Sequence, residues 1–462
     1  MTNKHNLLLA YYGDDFTGST DALEFLSRAG IKTVLFIDTP TPKQLSRYEG
    51  LQAIGVAGMT RAMSPAEMEK VLVPAFEALK LLGVPHVHYK VCSTFDSSPT
   101  IGSIGKAANV GAQVFSAAFI PLLVAAPALG RYCLFGNLFA RMGIGSEGEI
   151  FRLDRHPSMS RHPVTPADES DLRLHLAKQT PQKIGLIDIL TIALEEQQVK
   201  EKIQAELNNG TEIILFDALR DEDLLPIGNL IDKYADVDRP LFSIGSSGIE
   251  MALGKHWAKA GIAQSKTNWP HPGMAKAILV LSGSCSPITA GQIGWALTNG
   301  FAGIAIDTAA IAEADNSAEL FAAYAKQAAK LIQQGISVII HTSLGNHDAR
   351  LTATNEILSR KGTANQTARI YGTALGLIAK LVAQQTALTR ILIAGGDTSS
   401  FAARAMGIEA VEMISPISPG APLCKAYAPG SPVDGLEVNF KGGQVGAHNY
   451  FEMVLNGQNT TT

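Results

Sequence analysis

Short, continuously apolar runs alternate along this chain with longer stretches in which apolar residues recur every three or four positions. Leu7–Tyr12, Thr33–Ile37, Gln52–Ala57 and His86–Lys90 read as buried strands, and Thr20–Arg28 and Pro65–Leu81 read as helices between them. Strands apolar throughout, joined by helical crossovers, predict a parallel sheet covered on both faces. The rhythm resumes at Lys183–Ile187, Thr211–Phe216 and Pro240–Gly245. Asp217 and Gly245-Ser246-Ser247-Gly248 then fall at strand carboxyl ends, where open α/β sheets place their ligands.

Gln264–Met274 interrupts the pattern with two prolines, a glycine and polar residues, and reads as a linker. Beyond it, Ala277–Leu281, Gly303–Ile306, Ser337–His341 and Arg390–Ala394 read as strands, and Pro287–Leu297, Leu320–Gln334 and Gln366–Gln385 as helices. Glu437–Leu455 mixes a short strand, a glycine-rich turn and a helix. The expected fold class is α/β: two α/β domains, residues 1–265 and 272–462, with mostly parallel sheets facing across a cleft. A length of 462 residues agrees, being too great for one ordinary core.

Composition narrows the function. Hydrophobic residues make up 46% and charged residues 17%, with a formal net charge of -4. No arginine- or lysine-rich run is present, which argues against nucleic acid or anionic membrane as a partner. Val114–Leu129 is apolar but holds Pro121 and Pro127, so it reads as strand and loop rather than a membrane span. Cys92, Cys133, Cys285 and Cys424 are far apart and fit buried thiols in a reducing compartment. The apolar start, Leu7–Tyr12, is too short for a signal peptide, so the cytoplasm is the expected location.

Several polar clusters follow predicted strands. Asp14 and Asp15, in Gly13-Asp14-Asp15-Phe16-Thr17-Gly18, could accept the proton of an attacking hydroxyl, although either could instead cap the next helix. Lys90–Ser98 offers Lys90, Ser93, Thr94 and Asp96 to a polyhydroxylated anion, or is a capping loop. Leu153–Pro166 carries Arg155, His156, Arg161 and His162, which could clamp a carboxylate or form a solvated face. In the second half, Ser282–Ser286, Gly395-Gly396-Asp397-Thr398-Ser399 and Lys441-Gly442-Gly443-Gln444-Val445-Gly446 combine glycines, hydroxyls and a lysine, the chemistry of a phosphate cradle. Pro419–Pro422 reads as a stiff loop between the last two. Gly143–Gly148 matches G-x-G-x-x-G but precedes no helix and is discarded. A carboxylate for the acceptor and bare backbone for the donor suits phosphoryl transfer to a small molecule.

Tyr12–Asp21, Ser93–Ser97, Gly395–Ser399 and Lys441–Gly446 together resemble the four-carbon acid sugar kinase family, in the family's order and over nearly the whole chain. The resemblance implies an acid-sugar-binding N-terminal domain, a nucleotide-binding C-terminal domain and ATP-dependent phosphorylation of the terminal hydroxyl of substrates such as threonate, erythronate or 3-oxo-tetronate. Phosphate contacts carry onto Ser284, Gly395, Gly396, Asp397, Thr398, Lys441, Gly442 and Gly443. Substrate contacts carry onto Asp14, Asp15, Ser93, Thr94, Asp96 and Arg155.

The expectation is an acid-sugar kinase using ATP with Mg2+, with one of Asp14 and Asp15 as the base and Asp15 favoured. No metal ligands are assigned, and a homodimer is plausible. An isomerase or lyase acting on a phosphorylated sugar acid without ATP is the rival enzyme. A non-catalytic sugar-acid sensor is the rival of another kind.

Overall fold

The structure is a computed structural model describing residues 7–142, 148–162, 164–314, 317–345, 348–363 and 366–459. The first six residues, Gly143–Glu147 of the discarded glycine pattern, Pro163 of the cationic segment and the terminal threonines lie outside it. The chain forms two compact units, Met1–Thr267 and Asn268–Thr462.

In the first unit the strands β1 (Leu9–Gly13), β2 (Thr33–Phe36), β3 (Ala53–Ala57), β4 (His86–Lys90), β5 (Ile120–Leu123), β9 (Ile184–Ile187), β10 (Ile213–Phe216) and β11 (Leu241–Gly245) build one sheet. β6 (Arg131–Leu134), β7 (Asn137–Arg141) and β8 (Ile150–Arg152) stand apart from it. The main sheet runs β2-β3-β1-β4-β11-β5-β10-β9, every neighbouring pair parallel. All residues of β1 to β5, β10 and β11 are buried, which is why these strands are apolar runs rather than alternations. Edge strand β9 alternates instead. Phe76, Phe115 and Phe242 anchor the core, with Phe115 stacked on Phe242 at 5.2 Å. Gly111 lets its helix seat on them, because a Cβ there would lie 2.0 Å from Phe242.

Two elements escaped the sequence pattern. β6, β7 and β8 form a small antiparallel sheet whose strands are short and half-exposed, so no apolar run marks them. Its first turn is the pair Phe135 and Gly136, both at positive φ as a two-residue hairpin requires.

The second element is in the second unit. Its strands are β12 (Leu279–Ser282), β13 (Ala302–Ala305), β14 (Val338–His341), β15 (Arg390–Ala394), β16 (Ala410–Ser418), β17 (Ala421–Tyr427) and β18 (Glu437–Lys441). The order is β13-β14-β12-β15-β18-β17-β16, parallel through β18 and antiparallel beyond it. Pro419–Pro422 is therefore not a free-standing stiff loop. Pro419 and Gly420, with Gly420 at φ 79, turn the β16–β17 hairpin, while Ala421 and Pro422 already belong to β17. The segment between the units, across Gln264–Met274, carries no helix or strand.

The first helix also begins a turn earlier than its apolar pattern suggests. It spans Phe16–Arg28 and is capped by Asp15.

Candidate active site

In the first unit the chain passes from β1 to β2 and β3 on one side, then returns to β4 on the other. That reversal makes the carboxyl ends of β1 and β4 a topological switch point, the place where doubly wound sheets bind ligands. Asp14 and Asp15 leave β1 there, and Asp14 N–H donates to the Lys90 carbonyl at the end of β4 at 2.8 Å.

The two aspartates sit in different surroundings. The Asp15 carboxylate is fully engaged: Gly18 N–H and Thr17 Oγ1 each donate to it at 2.8 Å, and Arg61 Nη2 pairs with it at 2.6 Å. Burial pushes its pKa up, but Arg61, Thr17 and Gly18 outweigh this and hold it below the ordinary value. Asp14 is equally buried, yet its Oδ1 has no hydrogen-bond partner among the described residues. Burial, and then the negative charge of Asp15, push the Asp14 carboxyl up to about 7, against the pull of Arg61 and Lys90. A carboxylate with a free oxygen and a pKa near neutrality is poised to take a proton. The geometry thus shifts the weight from Asp15, favoured on sequence, to Asp14.

Behind this pair lies a buried charge network that joins Lys90 and Ser247, both at strand ends marked in the sequence, to Asp21, His88 and Glu250. Lys90, 1% exposed, donates to the Val91 carbonyl at 3.0 Å and pairs with Asp21 at 3.5 Å. Burial pulls its ammonium down, but Asp21, Glu250 and Asp14 more than compensate, leaving it above the ordinary lysine value. Ser247, from the Gly-Ser turn after β11, donates to Asp21. His88 and Glu250 pair at 2.6 Å with neither exposed. Asp21 Oδ1 and Glu250 Oε2 remain without partners among the described residues. Asp21 and Glu250 sit inside helical patterns, where nothing local in sequence marks them as buried.

Ser93 and Thr94 are buried in the loop after β4, and Thr94 Oγ1 lies 3.0 Å from Cys92 Sγ. Phe95 adopts φ 58, a left-handed conformation strained for a bulky residue. Asp96 Oδ1 is buried and unpartnered among the described residues. Arg155 does not join this group: its side chain is 76% exposed and lies 3.8 Å from Asp154. Its neighbour His156 is buried, with burial and then the charge of Arg131 holding its imidazole below the ordinary value. Asp217 is structural. It accepts from the backbone N–H groups of Phe135, Gly136 and Ile189 and so fixes the β6–β7 turn.

In the second unit the phosphate-type motifs converge. β12, β15 and β18 are adjacent, so Ser284, Gly395 and Gly443 emerge side by side. A Cβ on Gly395 would lie 2.9 Å from Thr398 Oγ1 and 3.5 Å from Ser284 N, and one on Gly443 would lie 3.0 Å from Ser284 Oγ. Gly283 packs still closer, its Cβ position lying 2.3 Å from Thr398 Oγ1. Gly395, at φ 125, caps the helix Gly396–Met406, and Ser286 caps Pro287–Thr298. Two helix N-termini and bare backbone make a cradle for phosphate oxygens. Asp397 is exposed on the first helical turn. Gln292 Nε2 donates to the carbonyls of Val445, Gly446 and Ala447, which fixes the loop after β18.

Lys441 lies beneath this cradle. It is fully buried, donates to Thr289 Oγ1 at 3.0 Å and stands 5.9 Å from the Tyr450 ring centroid. Burial holds its pKa down to about 7. Ser282 Oγ, buried at the end of β12, has no partner among the described residues. These donors and glycines fit a polyphosphate. Among the described residues no group of three or more His, Cys, Asp or Glu side chains could hold a metal ion.

Residues 9–253 match the family model described as a sugar-binding N-terminal domain, and residues 279–451 that of a nucleotide-binding C-terminal domain. The chain is 41% identical over 453 residues to the 3-oxo-isoapionate kinase of Paraburkholderia graminis, covering 98% of this chain and 95% of that one. It is 28% identical to the 3-oxo-tetronate kinase of Pseudomonas savastanoi pv. phaseolicola, covering 98% of each. A solved Salmonella typhimurium structure, described as a putative tRNA synthase, superposes with a TM-score of 0.74 at 26% identity, covering 96% of this chain and 98% of that one. A Haemophilus influenzae protein shares the fold at a TM-score of 0.68 and 22% identity, covering 96% of this chain and 98% of that one. These likenesses define an α/β enzyme of the kinase class. The chain belongs to the four-carbon acid sugar kinase family. Among the described residues no helix is long and apolar enough to cross a membrane.

Proposed function

We propose that this enzyme transfers the γ-phosphoryl group of ATP, taken as its Mg2+ complex, to the terminal hydroxyl of a short 3-oxo acid sugar. The observation that carries the reading is the Asp14 carboxylate, buried at the switch point with a free oxygen and a pKa raised to about 7. Asp14 accepts the proton of the acceptor hydroxyl as the new P–O bond forms. Asp15, Arg61 and Lys90 fix its position and its charge. Ser93, Thr94 and Asp96 take the substrate's hydroxyl and keto oxygens.

On the donor side, Ser284, Gly395, Gly396, Thr398, Gly442 and Gly443 present backbone N–H groups and hydroxyls to the phosphates, with Asp397 at the mouth and Lys441 supplying positive charge from below. Magnesium, when bound, would neutralise phosphate charge, and no residue is assigned to it. The 41% likeness to a 3-oxo-isoapionate kinase favours a branched acid of that kind over 3-oxo-tetronate.

An ADP-release assay over a panel of linear and branched four- and five-carbon acids, with and without the 3-oxo group, tests this. Turnover should require both an acid sugar and ATP with magnesium. No ADP release with any acid, or release independent of acid, would refute the reading.

A further inference from the structure

Arg131 is a buried guanidinium that forms no ion pair among the described residues. It is 6% exposed, at the start of β6. One corner is spent on neutral groups: Nη1 donates to the carbonyls of Leu129 at 3.0 Å, Gly130 at 3.4 Å and Arg141 at 3.1 Å. Nε is buried and has no partner among the described residues. No carboxylate pairs with it there, although Asp96 and Asp21 lie close enough to act on it electrostatically. Guanidinium does not shed its proton to escape burial, so a buried, unpaired arginine carries an uncompensated charge.

The backbone also holds the residue rigidly. Gly130, at φ 68, turns the chain after Pro127–Leu129, and Ala126 and Arg131 exchange backbone hydrogen bonds at 3.0 and 3.2 Å. The side chain is therefore preorganised, with its Nε edge unspent. His156 lies near enough to feel its charge. Ser158 and Met159 N–H groups both donate to His156 Nδ1 at 3.2 Å, which leaves Nε2 as the protonated nitrogen.

We infer that Arg131 receives the carboxylate of the acceptor on its Nε edge, and that Arg131, not Arg155, makes the enzyme select acids over neutral sugars. This rests on the acid-sugar reading above. Two observations separate Arg131 from Arg155. Arg131 is buried, locked and unpaired, whereas Arg155 is solvated. Arg131 also shares its surroundings with Asp96 and Asp21, at the same strand ends as Asp14. A planar fork matches a carboxylate in a way a lysine ammonium cannot.

Calorimetric titration without nucleotide tests the assignment, using threonate, erythronate, isoapionate and their neutral amides. The wild-type protein should bind one of these acids at least about 100-fold more tightly than its amide, in line with a buried charge pair. Arg131→Gln should lose about 100-fold for the acid and little for the amide, and Arg155→Gln should keep the wild-type preference. A folded Arg131→Gln that still prefers the acid, or a wild-type protein that binds acid and amide alike, would overturn the inference. If Arg131→Gln does not fold, Arg131→Lys decides: the preference should fall about tenfold, and an unchanged preference counts against the fork. Because no nucleotide is present, the result is independent of turnover. Acid preference without ADP release would remove the kinase reading and leave Arg131 standing.

Discussion

The two units of the chain handle charge in opposite ways at their strand ends. At and behind the ends of β1 and β4, ionisable side chains are buried and several oxygens lack partners among the described residues: Asp14 Oδ1, Asp21 Oδ1, Asp96 Oδ1 and Glu250 Oε2. At the ends of β12, β15 and β18, recognition falls to glycine backbone, hydroxyls and helix termini, over one buried lysine. Moving a proton needs a group whose two charge states are close in energy, and burial beside another acid supplies that for Asp14. Holding a polyphosphate needs many fixed donors and close approach, which a carboxylate would oppose and a side chain would obstruct. Rigid glycine turns meet that need.

The contrast breaks most sharply at Asp14. Asp14→Asn should lower kcat by about 100- to 10,000-fold, the usual range for a lost general base, with ATP binding by calorimetry unchanged. Asp15→Asn should act elsewhere. Asn still caps a helix, but the pair with Arg61 is lost. The expected result is a lower melting temperature, a loss on the order of 1 kcal/mol, and a smaller fall in kcat than for Asp14→Asn. Equal kcat losses in the two variants would erase the distinction between base and cap.

On the donor side, Gly283→Ala forces a Cβ to within 2.3 Å of Thr398 Oγ1. KM for ATP should rise by at least about tenfold, since one misplaced donor shifts the whole cradle, while acid binding stays unchanged. A weaker effect is expected at Lys441. The folded ammonium gives up its proton near 7, whereas the ordinary lysine value is 10.5, so the unfolded chain binds more protons between these values. Stability should therefore rise with pH across that window, and Lys441→Met should abolish the rise in a chemical-denaturation series. Asp14 works in the other direction. Its folded value near 7 lies above the ordinary 3.8, so the folded chain holds the extra proton, and stability falls as pH climbs between them. The smallest effect should be at Arg155, where Arg155→Gln leaves kcat/KM within about twofold, as expected for an exposed charge.

Much of this was visible in the sequence, for a physical reason. Strands buried on both faces must be apolar throughout, so β1, β4 and β15 stand out, and the polar residues directly after them must lie at the ligand-binding edge. Asp14, Asp15, Ser284, Gly395 and Lys441 could be found that way. The antiparallel β6–β8 sheet lacked such a signal because its strands are half-exposed, and the largely buried β16–β17 hairpin lacked it because Glu412, Ser415, Pro416 and Lys425 break up its apolar run. The burial of Arg131, Asp21 and Glu250 was missed because it is a property of three-dimensional neighbours, not of local pattern. Arg155 stood out for the opposite reason: a dense cationic segment is conspicuous in sequence, yet much of its charge is solvated or paired nearby. The choice between Asp14 and Asp15 needed hydrogen bonds that adjacency in sequence does not reveal.

The account rests on Asp14 as the group that takes the acceptor's proton. The pH dependence of kcat/KM for the acid sugar, measured for the wild-type enzyme and Asp14→Asn with ATP saturating, tests this directly. The wild-type profile should rise with pH to a plateau through an apparent pKa near 7, as the Asp14 carboxyl ionises. The residual activity of Asp14→Asn should show no such limb. An Asp14→Asn enzyme of near wild-type activity that keeps the same rise would contradict the account.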